Sequence, residues 1–584
     1  MAIRITPVGG ELDNARLGPP PLRVLIPSED KYTVLLMQPQ GIIEADSKGV
    51  RHRDAGLARR QFGAFLKDAL AMRADLVVTP EYSMPWGTLV DAIANGVVPP
   101  VGSLWALGCE SITYADLLTV KDTLARHADV LHETMPPVQG KFLDPLVYVF
   151  LAPSANQAEP RLVLLVQFKT CPMADEDHLE VNHLQRGTKV YLFGDLSKEL
   201  RLMSLICSDA LSFTDNEAKQ VYDRTLILHI QLNPKPRHDL FRQYRNKLLC
   251  FGGDATEILC LNWARDVHIN LEGTDQPWRN IGGSAWYLRP DKFDTRDKVL
   301  AANHRLGLYY TWSQSLRAHV LFFNYLPAVY QLISSKVAHV RVPAPLSCRP
   351  GPQLTDTYLW DDATSTWRRE AGQDDGFSSI VGECGAARDD IHAIASGNPF
   401  WAERALALSA GAVTHSSTWY LVRELDSCGI AQSEVVRRLT FCQDAEQDAS
   451  AFRTARLRRC RTLRHILADA TLLPPELSDL TAGMHMVWED AFPHQNVMSS
   501  AGRRATLVFL GSDVNDTQVE AVYKTLSEHL WRMYPDADSL LQARQRLHVW
   551  YYSSEEMLCR FDTTKYRRID DPRSSSEFDI TRAT

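Results

Sequence analysis

The sequence predicts an α/β fold in which a sheet is covered by helices. Three observations carry this. The run Tyr32–Gln38 is almost wholly apolar, as a strand buried on both faces requires. From about Leu57 to Arg73, the residues Phe62, Phe65, Leu66, Ala69 and Leu70 recur at the spacing of one helix face. The chain then returns to a short apolar run, Asp75–Glu81, which closes a β-α-β unit.

Further strands are expected at Leu146–Leu151, Leu162–Phe168, Leu200–Ile206, Leu226–Gln231 and Glu257–Leu261. Composition shifts near residue 340, and Pro343 to Gly385 is rich in Pro, Gly, Asp, Ser and Thr. Four regions follow. They are an N-terminal extension (1–29), a first domain (30–342), a linker or loop region (343–395) and a helical plus α/β domain (396–584). In the last, Phe400 to about Leu480 reads as helical. Ala505–Leu510 and Leu547–Tyr552 read as strands, with a helix near Val519–Arg532 between them.

The composition excludes several classes. With 584 residues, 45% hydrophobic and 23% charged, the chain is not collagen, coiled coil or a disordered polymer. It has no run of about 18 apolar residues and no basic-then-apolar start, so neither a membrane span nor a secretory signal is expected, and the expected location is the cytoplasm. The 11 cysteines show no CxxC pair and no zinc-ligand spacing. No metal is expected. There is no GxxxxGK[ST] phosphate loop. Residues from Leu346 onward carry 26 Lys+Arg against 34 Asp+Glu, so the whole formal charge of -8 falls there. That argues against a broadly basic nucleic-acid surface.

Polar residues recur directly after the apolar runs: Glu81, Lys169, Cys207, Asn233 and Asn262. Strand ends of this kind are where active sites gather in α/β folds. Glutamate, lysine and cysteine together supply a base, a positive charge and a nucleophile. In order and context these segments resemble the nitrilase superfamily of carbon-nitrogen hydrolases. Asp75–Glu81 resembles the strand that delivers the family's glutamate, Phe168-Lys169-Thr170 its lysine segment, and Leu205–Asp209 its cysteine elbow. Val34–Gln38, Gly282-Gly283-Ser284 and Leu226–Cys250 followed by Ile258–Asn262 also match. The resemblance spans roughly residues 30 to 325.

The resemblance implies a four-layer α-β-β-α sandwich. It also implies a cofactor-free reaction on a small linear amide or nitrile. Cys207 would attack, Glu81 would shuttle the proton, and Lys169 with the Ser208 backbone N–H would face the oxyanion. A supporting glutamate, seven residues before a glycine in the family, falls on Glu180 before Gly187, with Asp175, Glu176 and Asp177 as rivals. Asn233, Trp263 and Trp286 are candidate pocket residues, although core packing is the commoner use of such aromatics. An arginine frequent four residues after the cysteine is replaced here by Leu211. At least a dimer is expected, through about Ser212–Tyr222. Nitrilase-like domains also occur beside reverse transcriptases in bacterial phage-defence systems, so a scaffold or sensor role is the alternative reading.

The region after Leu346 is expected to supply no catalytic residue and to serve assembly or a protein partner. Its acidic entry and its Arg-rich helix (Arg453, Arg456, Arg458, Arg459, Arg461, Arg464) are of opposite charge. That helix admits a nucleic-acid or acidic-partner reading. A solvated face paired with acids such as Glu446 and Asp448 is the preferred one.

Overall fold

In the computed structural model, the described residues are 3–563 except 28, 155–158, 175–177, 195–199, 238, 252–254, 272, 279–282, 290–292, 338–350, 426–428, 431–433, 445 and 513. Asp175, Glu176, Asp177, Gly282 and the first part of the expected linker therefore lie outside them. The chain divides into two compact units, Met1–Asp374 with Ile430–Glu434, and Asp375–Gly429 with Val435–Thr584.

The first unit is the expected four-layer sandwich. One sheet carries the Cys207 strand and runs Arg4–Pro7, Lys189–Phe193, Arg201–Ile206, Thr225–Ile230, Thr256–Leu261, Ala285–Leu288, Ala318–Phe323, Leu308–Ser313. The other, nine-stranded, runs Thr366–Glu370, Gln353–Asp361, Ala328–Ser335, Lys31–Gln38, Leu76–Met84, Leu104–Cys109, Pro145–Ala152, Arg161–Phe168, Asp129–His132. The sheets face each other where Leu76–Met84 meets Thr225–Ile230 and Thr256–Leu261. Every residue of these three strands is buried, which explains why apolar residues dominate them. Helices Ala55–Ala71 and Trp86–Ala94 cover the second sheet, and Asp239–Phe251 covers the first. Phe62, Phe65, Leu66 and Ala69 lie in the resulting core, as their spacing predicted.

The region boundaries differ from those expected. Residues 1–29 are not an appendage, because Arg4–Pro7 pairs in parallel with Lys189–Leu192 at the sheet edge. Much of the expected linker is structured. Gln353–Asp361 and Thr366–Glu370 form a hairpin on Ala328–Ser335, and Trp367 Nε1 donates to the Gln61 carbonyl at 3.0 Å. The division falls at Asp374/Asp375, and Phe377–Gly397 belongs to the second unit's helices. The polar composition of the hairpin reflects an edge ribbon rather than a flexible tether.

In the second unit a five-stranded sheet runs Met484–Met486, Val497–Ser499, Arg504–Phe509, Leu547–Tyr552, Leu558–Arg560. Helices Asp516–Met533 and Ala537–Gln545 join its one parallel pair. The described residues between 410 and 446 are mostly irregular rather than helical as expected. The helix Gln447–Ala468 packs Leu457, Cys460, Leu463, Ile466 and Leu467 into the core. Its arginines do not form one solvated face. Arg453 and Arg456 are buried, and Arg453 Nη1 donates to the Val436 carbonyl at 2.8 Å. Arg458 pairs with Glu383 at 3.0 Å, not with Glu446 or Asp448.

A buried ion pair ties Glu434 into the first unit. Arg245 and Glu434 are both under 2% exposed and joined side chain to side chain. Arg237 Nη1 also donates to the Glu434 carbonyl at 2.9 Å. Removing one partner strands a buried charge, so Arg245→Met should cost about 3–5 kcal/mol. The double variant Arg245→Met/Glu434→Gln should cost less than the sum of the singles in urea unfolding; strict additivity would show that the pair is not coupled.

Candidate active site

Glu81 sits where the strand Leu76–Met84 kinks. The residue after it, Tyr82, has φ +56°, and the pairing with Leu104–Cys109 breaks between Thr79 and Met84. Gly108 permits the close approach of that neighbouring strand. A Cβ there would lie 2.1 Å from the Pro80 carbonyl oxygen and 2.9 Å from Glu81 Cα. Lys169 follows Arg161–Phe168 directly, and Cys207 follows Arg201–Ile206 with φ +41°. A non-glycine residue in that region is strained by about 1–3 kcal/mol and is held only by surrounding structure.

The side chains converge. Lys169 Nζ lies 2.7 Å from Glu81 Oε1, 2.7 Å from Glu180 Oε1 and 3.6 Å from Asp144 Oδ2. Glu81, Lys169 and Asp144 are each about 1% exposed or less. Glu81 Oε2 also accepts from the Leu232 N–H at 2.5 Å. Glu180 accepts from the Tyr82 hydroxyl at 2.9 Å and the Met173 N–H at 2.6 Å. Glu180 thus shares the Lys169 ammonium with Glu81. Gly187 explains the seven-residue spacing. Its N–H donates to the Lys169 carbonyl at 2.9 Å, and a Cβ there would lie 2.7 Å from the Phe168 carbonyl oxygen.

Asp209, two residues after the cysteine, ties the elbow to the lysine segment. Its carboxylate accepts from Thr170 N–H and Oγ1, both at 2.8 Å, and from Cys171 N–H at 2.9 Å. The Ser208 hydroxyl donates to the Cys171 carbonyl at 2.6 Å. Trp263 Nε1 donates to the Glu81 carbonyl at 2.8 Å, so this aromatic supports the site. Asn233 N–H donates to Asn262 Oδ1 at 3.1 Å, and the Asn233 amide nitrogen is buried without a partner, a group available to a ligand. Trp286 does not join them. It pairs opposite Leu259 and bonds Glu257 at 2.9 Å, toward the other end of that strand, so it is a core residue.

Sequence reading missed Asp144 and His229. Asp144 opens the apolar run Pro145–Ala152, and an acid before a proline reads as a turn residue. His229 is the lone polar residue of Leu226–Ile230. Its Nε2 lies 2.9 Å from the Cys207 carbonyl, which can only accept, so Nε2 carries the hydrogen. The Tyr244 hydroxyl meets Nδ1 on the other side. This imidazole fixes the backbone of the strained cysteine.

Electrostatics follow from burial. Burial, reinforced by the Glu81 charge, pushes the Cys207 thiol well above its usual range, against the pull of Lys169. The Cys207 thiol therefore rests neutral, and any attack by its sulfur needs a base. Burial also raises Glu81, with Lys169 opposing. Burial works against the Lys169 charge, but Glu180 and Glu81 outweigh it and hold the ammonium well above its ordinary value. Glu81, Asp144 and Glu180 present oxygens within 4.8 Å of one another, an arrangement suited to a cation, and the Lys169 ammonium is the cation among them.

Burial lowers His229 to about 3 from 6.5. The unfolded chain binds this proton at a higher pH than the folded one, so stability rises with pH across that window and is lost as pH falls from about 6.5 toward 3. His229→Gln should shallow the loss of stability on acidification in thermal melts between those values; an unchanged slope would contradict the buried neutral imidazole.

No family model and no curated protein sequence matches the chain. Among solved structures, it is similar to a glutamine-dependent NAD+ synthetase of Acinetobacter baumannii in complex with ADP, at 13% identity and TM-score 0.31, over 70% of this chain and 62% of that one. The chain thus spans less than two thirds of the synthetase. A CN-hydrolase superfamily protein of Xanthomonas campestris with an arsenic adduct in its active site matches at 13% identity and TM-score 0.28, over 53% and 91%. A Nesterenkonia AN1 amidase from the nitrilase superfamily matches at 12% identity and TM-score 0.25, over 45% and 84%. Among the described residues no helix is long and apolar enough to cross a membrane. The first unit combines four layers with a buried Glu81–Lys169–Cys207 constellation.

Proposed function

We propose that the protein is a thiol-dependent amidohydrolase that cleaves a non-peptide C–N bond of a small linear amide or nitrile through a thioester on Cys207. The observation that carries this reading is the buried Lys169 ammonium clamped between Glu81 and Glu180, whose charges act on a strained cysteine.

On an amide the steps balance as follows. Glu81 takes the thiol proton as Cys207 Sγ bonds to the carbonyl carbon. The carbonyl oxygen becomes an oxyanion beside the Lys169 ammonium and the Ser208 backbone N–H. Collapse breaks the C–N bond, and Glu81 returns its proton to the departing amine. Water then gives a proton to Glu81 and attacks the thioester, releasing the acid and restoring the thiol. Glu180 accepts from Lys169, Tyr82 and Met173 throughout, so it holds the ammonium in place rather than exchanging protons. The second unit serves assembly or a partner in this reading.

Cys207→Ala should abolish turnover. Glu81→Gln and Lys169→Ala should each lower kcat by about 10³-fold, the scale of a lost general base or oxyanion partner. The experiment incubates the full chain with a library of small amides and nitriles and maps adducts by mass spectrometry. Acyl mass on the Cys207 peptide, absent in Cys207→Ala, supports the reading. A full-length scan that yields turnover undiminished in Cys207→Ala overturns it.

A further inference from the structure

The reaction as written leaves one carboxyl group of the site without a part. Asp144 is completely buried, and its backbone carbonyl accepts from the Lys169 N–H at 2.9 Å. Its side chain shares the cluster with Glu81, Glu180 and Lys169, with Tyr82 and the thiols of Cys207 and Cys109 also within electrostatic reach.

The three carboxyl groups differ in what reaches them. Glu180 receives the ammonium, a phenol O–H and a backbone N–H. Glu81 receives the ammonium at 2.7 Å and a backbone N–H. Among the described residues neither oxygen of Asp144 receives a hydrogen bond, and the Lys169 ammonium is 3.6 Å away. A single ammonium balances one carboxylate, not three. A buried acid that lacks donors escapes its desolvation cost by keeping its proton.

We infer that Asp144 is a neutral carboxylic acid whose O–H donates to the Glu81 carboxylate, which makes it a positioning residue for the general base. The inference rests on the amidohydrolase reading of the site. The proton stays on Asp144 through the cycle, while the thiol proton moves between Cys207, Glu81 and the leaving amine. A donor between the two acids removes the repulsion that would otherwise turn Glu81 away. Glu81 keeps its other two donors, the ammonium on Oε1 and the Leu232 N–H on Oε2. The direction of the Asp144 shift agrees. Burial and then the Glu81 charge push it well above the carboxylate range.

Two substitutions separate this role from that of a buried charge. Asp144→Asn keeps a neutral donor of the same shape, and Asp144→Ala removes it. The probe is p-nitrophenyl acetate, an activated ester that reports acylation of Cys207 without knowledge of the natural substrate. Asp144→Asn should keep the acylation burst within about threefold of the parent. Asp144→Ala should slow it about tenfold or more, the weight of one hydrogen bond to a charged group. Infrared difference spectra of the full chain at neutral pH should show a protonated-carboxyl carbonyl band that Asp144→Asn removes. The inference is overturned if Asp144→Asn is as slow as Asp144→Ala, if Asp144→Ala matches the parent, or if the band survives in Asp144→Asn. If the parent itself shows no burst, the amidohydrolase reading fails, and the infrared band alone still decides the protonation of Asp144.

Discussion

The Lys169 ammonium, buried and held 2.7 Å from each of two glutamates, is the contact on which the rest of the site depends. At an effective dielectric near 20, one such contact is worth about 6 kcal/mol, comparable with the several kcal/mol needed to strip water from each ion. Without Lys169, Glu81 and Glu180 would face each other unbalanced in a dry interior. The sandwich exists around that need. The strands that carry Glu81 or lead directly into Lys169 and Cys207 come from both sheets, so the cluster forms only when the sheets pack face to face.

The backbone around the cluster is arranged for the same purpose. Tyr82 and Cys207 both adopt left-handed conformations, which turn the chain sharply within one strand and just after another. Trp263 holds the Glu81 carbonyl, His229 holds the Cys207 carbonyl, and Asp209 pulls the lysine segment onto the cysteine elbow. Each of these bonds uses a buried polar group that would otherwise be unsatisfied, so the positioning of Cys207 is coupled to the stability of the core.

The parts legible in the sequence were those with a local signature. An apolar run that stops at a charged residue marks a strand end, and Glu81, Lys169 and Cys207 were readable in that way. The Glu180–Gly187 spacing was readable from the family likeness, and the close approach of Gly187 to Phe168 supplies its physical reason. Asp144 and His229 were not readable, because a lone acid before proline and a lone histidine in a strand acquire meaning only from what lies across the sheet. The hairpin Gln353–Glu370 looked like linker because an edge ribbon has little apolar pattern to show. Arg453 and Arg456 looked exposed because arginine usually is, but the Val436 and Asp444 carbonyls receive Arg453 and the Phe452 ring lies 5.1 Å from the Arg456 guanidinium.

The central claim is that Cys207 rests as a neutral thiol governed by the buried glutamate–lysine cluster. It is tested most directly by the pH dependence of iodoacetamide alkylation at Cys207, followed by mass spectrometry of its peptide. The account predicts an alkylation rate that rises only in the alkaline range, with an apparent pKa above that of a free cysteine and a marked change when Lys169 is replaced by methionine. A thiolate already formed at neutral pH, or a titration indifferent to Lys169, would contradict it.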